Sequence, residues 1–257
     1  MSADRYSRQV LLAEIGPAGQ ARIRAGRAVL IGCGALGSSI ANTLVRAGVG
    51  RLRLIDADRV ELSNLQRQTL YTEADAAAGR LKVEALAAQL ARINSEVVLE
   101  PMAERVDGDN IDRLLGRPDV VLDGSDNFDL RYLLNDHCVR TGLSWVYGGV
   151  AATYGLAMPV VPGRTPCLRC IFPEPPLPEQ APTADDIGIL APIAHLVAAV
   201  QCAEALKLLS GHIEAIQPRL HTADLWASRL DSLRLGVPEP ACACCGQRPG
   251  VPDAGEP

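Results

Sequence analysis

Arg27-Ala28-Val29-Leu30-Ile31-Gly32-Cys33-Gly34-Ala35-Leu36-Gly37 reads as a short apolar strand running into a glycine-rich turn. The pattern predicts a strand over 27–31 and a helix over 38–47 that Gly48 and Gly50 end. Glycines at 32, 34 and 37 let the backbone turn tightly, so phosphate oxygens can approach the amides at the helix start, where the helix dipole favours an anion. Downstream, apolar periodicity predicts a strand over 51–56, an amphipathic helix over 80–93, a strand over 96–102, a helix over 110–115 and a buried strand over 120–123. Strand and helix alternate, which implies an α/β fold with a doubly wound, mostly parallel, Rossmann-like sheet.

Outward from this unit the pattern changes. Two short helices are expected in the first 25 residues, with Pro17 in the first turn of the second and Gly26 at its end, forming an N-terminal helical arm over 1–26. After a helix over 128–140, the adjacent apolar runs 143–150 and 154–161 suit an antiparallel pair, so the sheet gains an antiparallel extension. Residues 173–182 hold five prolines, which excludes helix and central strand and marks an exposed, mobile crossing. A long helix over 188–209, two strands between 218 and 234 and a disordered tail over 247–257 complete the reading.

Bulk composition narrows the function. The 257 residues and 48% apolar content suffice for one sizeable core. A net charge of −5 argues against nucleic acid and membrane partners. Residues 1–8 are polar and lack the apolar region of a signal peptide, so the expected location is cytoplasmic. The apolar 187–209 stretch carries Pro192, His195, Gln201, Glu204 and Lys207, and so reads as a buried helix and not a membrane span. Eight cysteines in a reducing compartment point away from disulfides. Cys167/Cys170 and Cys242/Cys245 form two Cys-x-x-Cys pairs that supply the four thiolates structural zinc prefers, giving a four-cysteine zinc site. Cys244 permits a different ligand choice. Cys33, Cys138 and Cys202 read as core residues.

Asp56, closing the second strand, is placed to accept hydrogen bonds from ribose hydroxyls, which suits NAD and ATP alike. Ser63-Asn64-Leu65-Gln66-Arg67-Gln68, Lys82 and Ser125-Asp126-Asn127 discriminate between them, because a triphosphate needs cationic clamps and an acidic magnesium ligand. Lys82 is one of two lysines, with Lys207. The competing readings are a surface salt bridge for Arg67, a solvated helix face for Lys82 and a helix N-cap for Asp126. His137, His195, His212 and His221 read as structural or surface residues.

Taken in order, Arg5-Tyr6-Ser7-Arg8-Gln9, the glycine turn, Asp56-Ala57-Asp58, Asn64-Leu65-Gln66-Arg67-Gln68, Lys82-Val83-Glu84, Asp126-Asn127 and both cysteine pairs resemble the MoeB/ThiF/HesA family, bacterial relatives of ubiquitin-activating enzymes. The resemblance implies a single adenylation domain over 1–246. It also implies an ATP-dependent adenylyltransferase that activates the C-terminal glycine carboxylate of a ubiquitin-like sulfur-carrier protein ending in Gly-Gly, releasing pyrophosphate before thiocarboxylate formation. Residue by residue, Gly32, Gly34 and Gly37 would form the phosphate turn, Asp56 would hold the ribose, and Asn64, Arg67, Gln68 and Lys82 would bind the nucleotide. Asp126 would hold Mg²⁺, and Arg8 would reach across a homodimer to the neighbouring triphosphate. The same resemblance, with the two-residue spacer, favours Cys242 with Cys245 for Zn²⁺. Family members that capture the carrier covalently have a cysteine where Ala184 stands, so adenylation alone is expected here, with a separate sulfur donor. Other readings are adenylation of a peptide or small carboxylate, an NAD-dependent oxidoreductase, and a noncatalytic partner-binding relative.

Overall fold

The computed structural model describes residues 5–177 and 184–246. The tail expected over 247–257 and residues 178–182 of the proline-rich crossing lie outside the described residues. One eight-stranded sheet organises the chain, in the order β3-β2-β1-β4-β5-β6-β7-β8. Strands β1 (Arg27–Ile31), β2 (Arg51–Ile55), β3 (Val98–Met102), β4 (Val120–Asp123) and β5 (Trp145–Ala151) run parallel. Strands β6 (Tyr154–Val160), β7 (Arg219–Asp224) and β8 (Arg229–Arg234) add the expected antiparallel extension. The strand order reverses at β1, which pairs with both β2 and β4, and a crevice opens there beyond the carboxyl ends of the strands.

Helices cover both faces. The cluster on one side joins α3 (Ala35–Ala47), α5 (Lys82–Ile93) and α10 (Ala191–Leu209) to alternate residues of β1 and β2. The opposite cluster joins α6 (Ile111–Leu115), α7 (Phe128–Thr141) and α8 (Leu168–Ile171) to the other sheet face, and runs into the paired cysteines. The arm is α1 (Ser7–Val10) and α2 (Gly16–Ala25), tied to the end of α3 by Gln9 and Gln20, which both donate to the Ala47 carbonyl. Helix α10 is long and apolar enough to cross a bilayer by length and composition, but it packs on α3 and the sheet and buries Gln201 and Glu204. The Gln201 amide donates to Asp123 O at 2.7 Å and Val146 O at 3.1 Å, satisfying carbonyls at the end of the β4–β5 pairing.

Among the departures from the sequence reading, three have a clear local reason. Helix α3 starts at Ala35, because Gly37 lies inside the helix, pressed on the turn before it. A Cβ on Gly37 would sit 1.9 Å from the Gly32 carbonyl oxygen. Gly37→Ala should therefore lower folding stability by about 3 kcal/mol, read as a shift of the urea midpoint, since the clashing atom is backbone and cannot rotate aside. The stretch before α5, for which no element is expected, contains α4 (Glu73–Ala77), started by a reciprocal Thr72–Asp75 capping box. Helix α10 starts at Ala191 and not at 188, since Gly188 adopts φ +74° and the next residue bridges to Ala152. The Leu190 amide donates to Ala152 O at 2.8 Å. The one-turn helix α9 (Ala184–Ile187) precedes this bridge.

Candidate active site

A cavity of about 560 Å³ occupies the crevice at the reversal of strand order, walled by the turns after β1, β2 and β4 and by β5 and β6. Gly32 and Gly34 line it, and Gly37 supports them from the first turn of α3. The turns after β1 and β4 are in contact, such that a Cβ on Gly32 would sit 2.6 Å from the Gly124 carbonyl.

Asp56 sits at the end of β2 and is drawn into this turn. Its Oδ2 accepts from the Cys33 amide at 2.7 Å and its Oδ1 from the Asp58 amide at 2.8 Å. Burial pushes the Asp56 carboxyl above its ordinary range, against the pull of the Lys82 ammonium and the two amides. Asp56 thus shapes the glycine turn, and its carboxylate has lone pairs to spare for the cavity it lines.

Lys82 does not lie on a solvated helix face. It opens α5, is 8% exposed, and places Nζ 3.0 Å from Asp58 Oδ2 at the cavity wall. Arg67 and Gln68 project from the turn after the 3-10 segment Leu62–Asn64. Asn64 is buried behind them: its Oδ1 accepts from the Glu61 amide at 3.2 Å, and its carbonyl accepts from the amides of Arg67 and Gln68. It holds the Arg67–Gln68 turn in place and does not line the cavity. Arg67 donates to Ser63 O at 3.0 Å, and no ion pair ties it among the described residues. Gln68 lines the cavity, and its Oε1 is buried without a hydrogen-bond partner among the described residues.

Asp126 is not the helix cap. Asn127 takes that place, its side chain accepting from the Leu130 amide at 3.1 Å, which leaves Asp126 exposed on the rim without hydrogen bond or ion pair among the described residues. Arg8 lies elsewhere. Its helix α1 is fastened to the C-terminal end of α3, whereas the cavity sits at the N-terminal end, about 20 Å away for thirteen residues of helix.

The sequence reading missed the residue that holds the Asp126 turn. Arg131, 4% exposed, pairs with Asp123 at 3.2 Å, donates to Ser125 O at 2.7 Å, and stacks over Phe128 and Tyr147. Burial pushes the Asp123 carboxyl up and Arg131 draws it down. An aspartate closing the otherwise apolar β4 was the available signal, because a carboxylate buried there requires a cationic partner. None of the four histidines lines the cavity, and His195 Nδ1 instead meets Ser39 Oγ at 2.8 Å.

The sulfurs of Cys167, Cys170, Cys242 and Cys245 all lie within 4.8 Å of one another at the far end of the sheet. Cys244 stands outside this group and accepts from Asn135 Nδ2 at 3.3 Å, so the spacing ambiguity resolves in favour of Cys242 with Cys245. Burial, with hydrogen bonding to Cys170, pushes the Cys245 thiol up to about 12. Clustered thiolates here require a cation, and four sulfurs at this separation fit a tetrahedral one.

The ThiF family model matches residues 6–244. A sulfur carrier protein ThiS adenylyltransferase of Bacillus subtilis (strain 168) is 43% identical, over 95% of this chain and 72% of that protein. A SAMP-activating enzyme E1 of Haloferax volcanii is 40% identical over 95% of this chain and 89% of its own length. Among solved structures, that of E. coli MccB has a TM-score of 0.83 at 25% identity, covering 96% of this chain and 74% of the other. On this match along nearly its whole length, the chain belongs to the ThiF family and is an adenylyltransferase of that type.

Proposed function

We propose that the chain uses ATP to adenylate the C-terminal glycine carboxylate of a small ubiquitin-like sulfur-carrier protein. A carboxylate oxygen attacks the α-phosphorus, the bond from that phosphorus to the bridging oxygen breaks, and pyrophosphate leaves with the electron pair. The observation that carries this reading is the convergence of the glycine turn, Arg67, Gln68, Lys82 and Asp126 on one cavity that holds no histidine. Such a site suits a nucleophile already ionised at neutral pH, which needs no general base. What it needs is positive charge against the repulsion between carboxylate and triphosphate.

Arg67 and Lys82 supply that charge from the cavity wall, and Gln68 offers its amide to the phosphates. Asp126, free of other partners among the described residues, would hold Mg²⁺, a hard cation that takes carboxylate and phosphate oxygens and neutralises the leaving charge. Asp56 would receive the ribose hydroxyls. Arg8, too distant for its own cavity, would serve that of a second copy in a homodimer. The four clustered cysteines would hold Zn²⁺ as a structural ion. An NAD-dependent oxidoreductase would leave Arg67, Lys82 and Asp126 without a shared purpose. Adenylation of a peptide is less favoured, because the relative at 43% identity is named for a sulfur carrier protein.

The deciding experiment is ATP/pyrophosphate exchange with a Gly-Gly-ending carrier. Exchange that requires the carrier, and is lost when its terminal glycine is removed, is expected; exchange with no such protein overturns the reading. With alanine at 184, thiocarboxylate sulfur would come from a separate donor. Non-reducing gels of enzyme, ATP and carrier should accordingly lack any thiol-sensitive enzyme–carrier adduct.

A further inference from the structure

A second concavity lies at the opposite end of the sheet. The residues directly paired in β1, β2 and β3 share a face, and alternate residues along each strand do so too. Arg27 pairs with Arg51, Val29 with Arg53, and Arg53 with Glu100. This is the face whose apolar cluster joins Val29, Ile31 and Ile55 with Leu114 and Leu115 of α6. Helix α6 is only five residues long and ends at Gly116, and the half of the face beside Arg27 and Arg51, at the start of β1 and β2, is recessed. This half is charged, and Arg117 on the return to β4 closes it into a cavity of about 330 Å³.

Four arginines and one glutamate line this recess. Glu100 is bonded by both Arg51 and Arg53, and Arg53 is further fixed by donating to Leu114 O at 2.7 Å. The neighbouring Asp119 carboxylate accepts from the Arg27 backbone amide at 2.8 Å. The side chains of Arg27 and Arg117 have neither hydrogen bond nor ion pair among the described residues. On a chain whose net charge is −5, this concave excess of positive charge runs against the surface as a whole. Guanidinium forks match phosphate oxygens two at a time, and a recess of this size holds a diphosphate.

We propose that Arg27, Arg51, Arg53 and Arg117 form a binding site for a small, multiply charged phosphate compound, separate from the nucleotide cavity. The probe is inorganic pyrophosphate, titrated by calorimetry into an Arg67→Ala chain to weaken the other cavity. One pyrophosphate per chain is expected, with affinity falling as salt is raised. Adding Arg27→Ser and Arg117→Ser should weaken that binding at least tenfold, and these exposed side chains make no internal contact that folding depends on among the described residues. Arg53→Ala gives an independent arm with the same expected loss. Absence of binding in the Arg67→Ala chain, or equal affinity after the two serine substitutions, overturns the site. Citrate binding as tightly as pyrophosphate overturns the preference for phosphate.

Discussion

Asp126→Ala is expected to lower carrier-dependent ATP/pyrophosphate exchange by about 10²–10³-fold while leaving the urea midpoint unchanged. The two halves of this expectation come from different observations. Activity should fall because Asp126 is a carboxylate on the cavity rim with no internal partner among the described residues, so its removal takes away the proposed ligand for the magnesium on the leaving phosphates. Stability should hold because the fold does not use this side chain: Asn127 caps α7, and Arg131 is anchored on Asp123 and the Ser125 carbonyl. Asp123→Ala supplies the contrast. It would strand a buried guanidinium, costing about 3–5 kcal/mol, so activity and stability should fall together. If Asp126→Ala lowers the midpoint as Asp123→Ala does, Asp126 is structural. If exchange survives it, the proposed metal role fails. Raising magnesium should recover part of the Asp126→Ala loss and none of the Asp123→Ala loss.

This contrast also marks where the sequence is legible. The strand-turn-helix unit follows from periodicity and glycine spacing, which depend on neighbours in the chain, and the parallel sheet with its antiparallel extension follows from the alternation of elements. The cavity residues Arg67, Gln68, Lys82 and Asp126 are readable as charged or polar groups placed after strands. What sequence does not carry is the division of labour among them. Asn64 lies behind the wall, and Asp56 engages both oxygens with backbone amides; Asn127, and not Asp126, makes the cap. Each of these depends on side-chain direction over a few ångströms, which spacing does not encode. Arg131 escaped for a related reason, since its partner Asp123 is adjacent only after β4 and α7 fold back.

The second large effect is expected on removing the Zn²⁺ proposed for the four clustered cysteines. Chelation, or Cys245→Ser, is expected to lower the melting temperature by about 10 °C, and to open residues 235–246 to protease while the parallel sheet stays folded. The segment after β8 is short, exposed at Gly236 and Val237, and joined to the body through Cys242 and Cys245 buried against Cys167 and Cys170. Without a cation these thiols must be protonated and packed against one another, a poor substitute for coordination. The main apolar cluster between the sheet and α3, α5 and α10 contains none of the four, so the loss should be confined to one face. That face includes Leu168, whose amide donates to Asn135 Oδ1, and Tyr132, whose hydroxyl donates to the Phe172 and Glu174 carbonyls. Loosening the cysteines should therefore free the chain leading into the proline-rich crossing before it disturbs the nucleotide cavity. Cys244→Ser is the control, with metal content near one zinc per chain and protease resistance preserved, because Cys244 lies outside the four-sulfur group. A Cys244→Ser chain that loses zinc, or a Cys245→Ser chain that keeps it, would reassign the ligands.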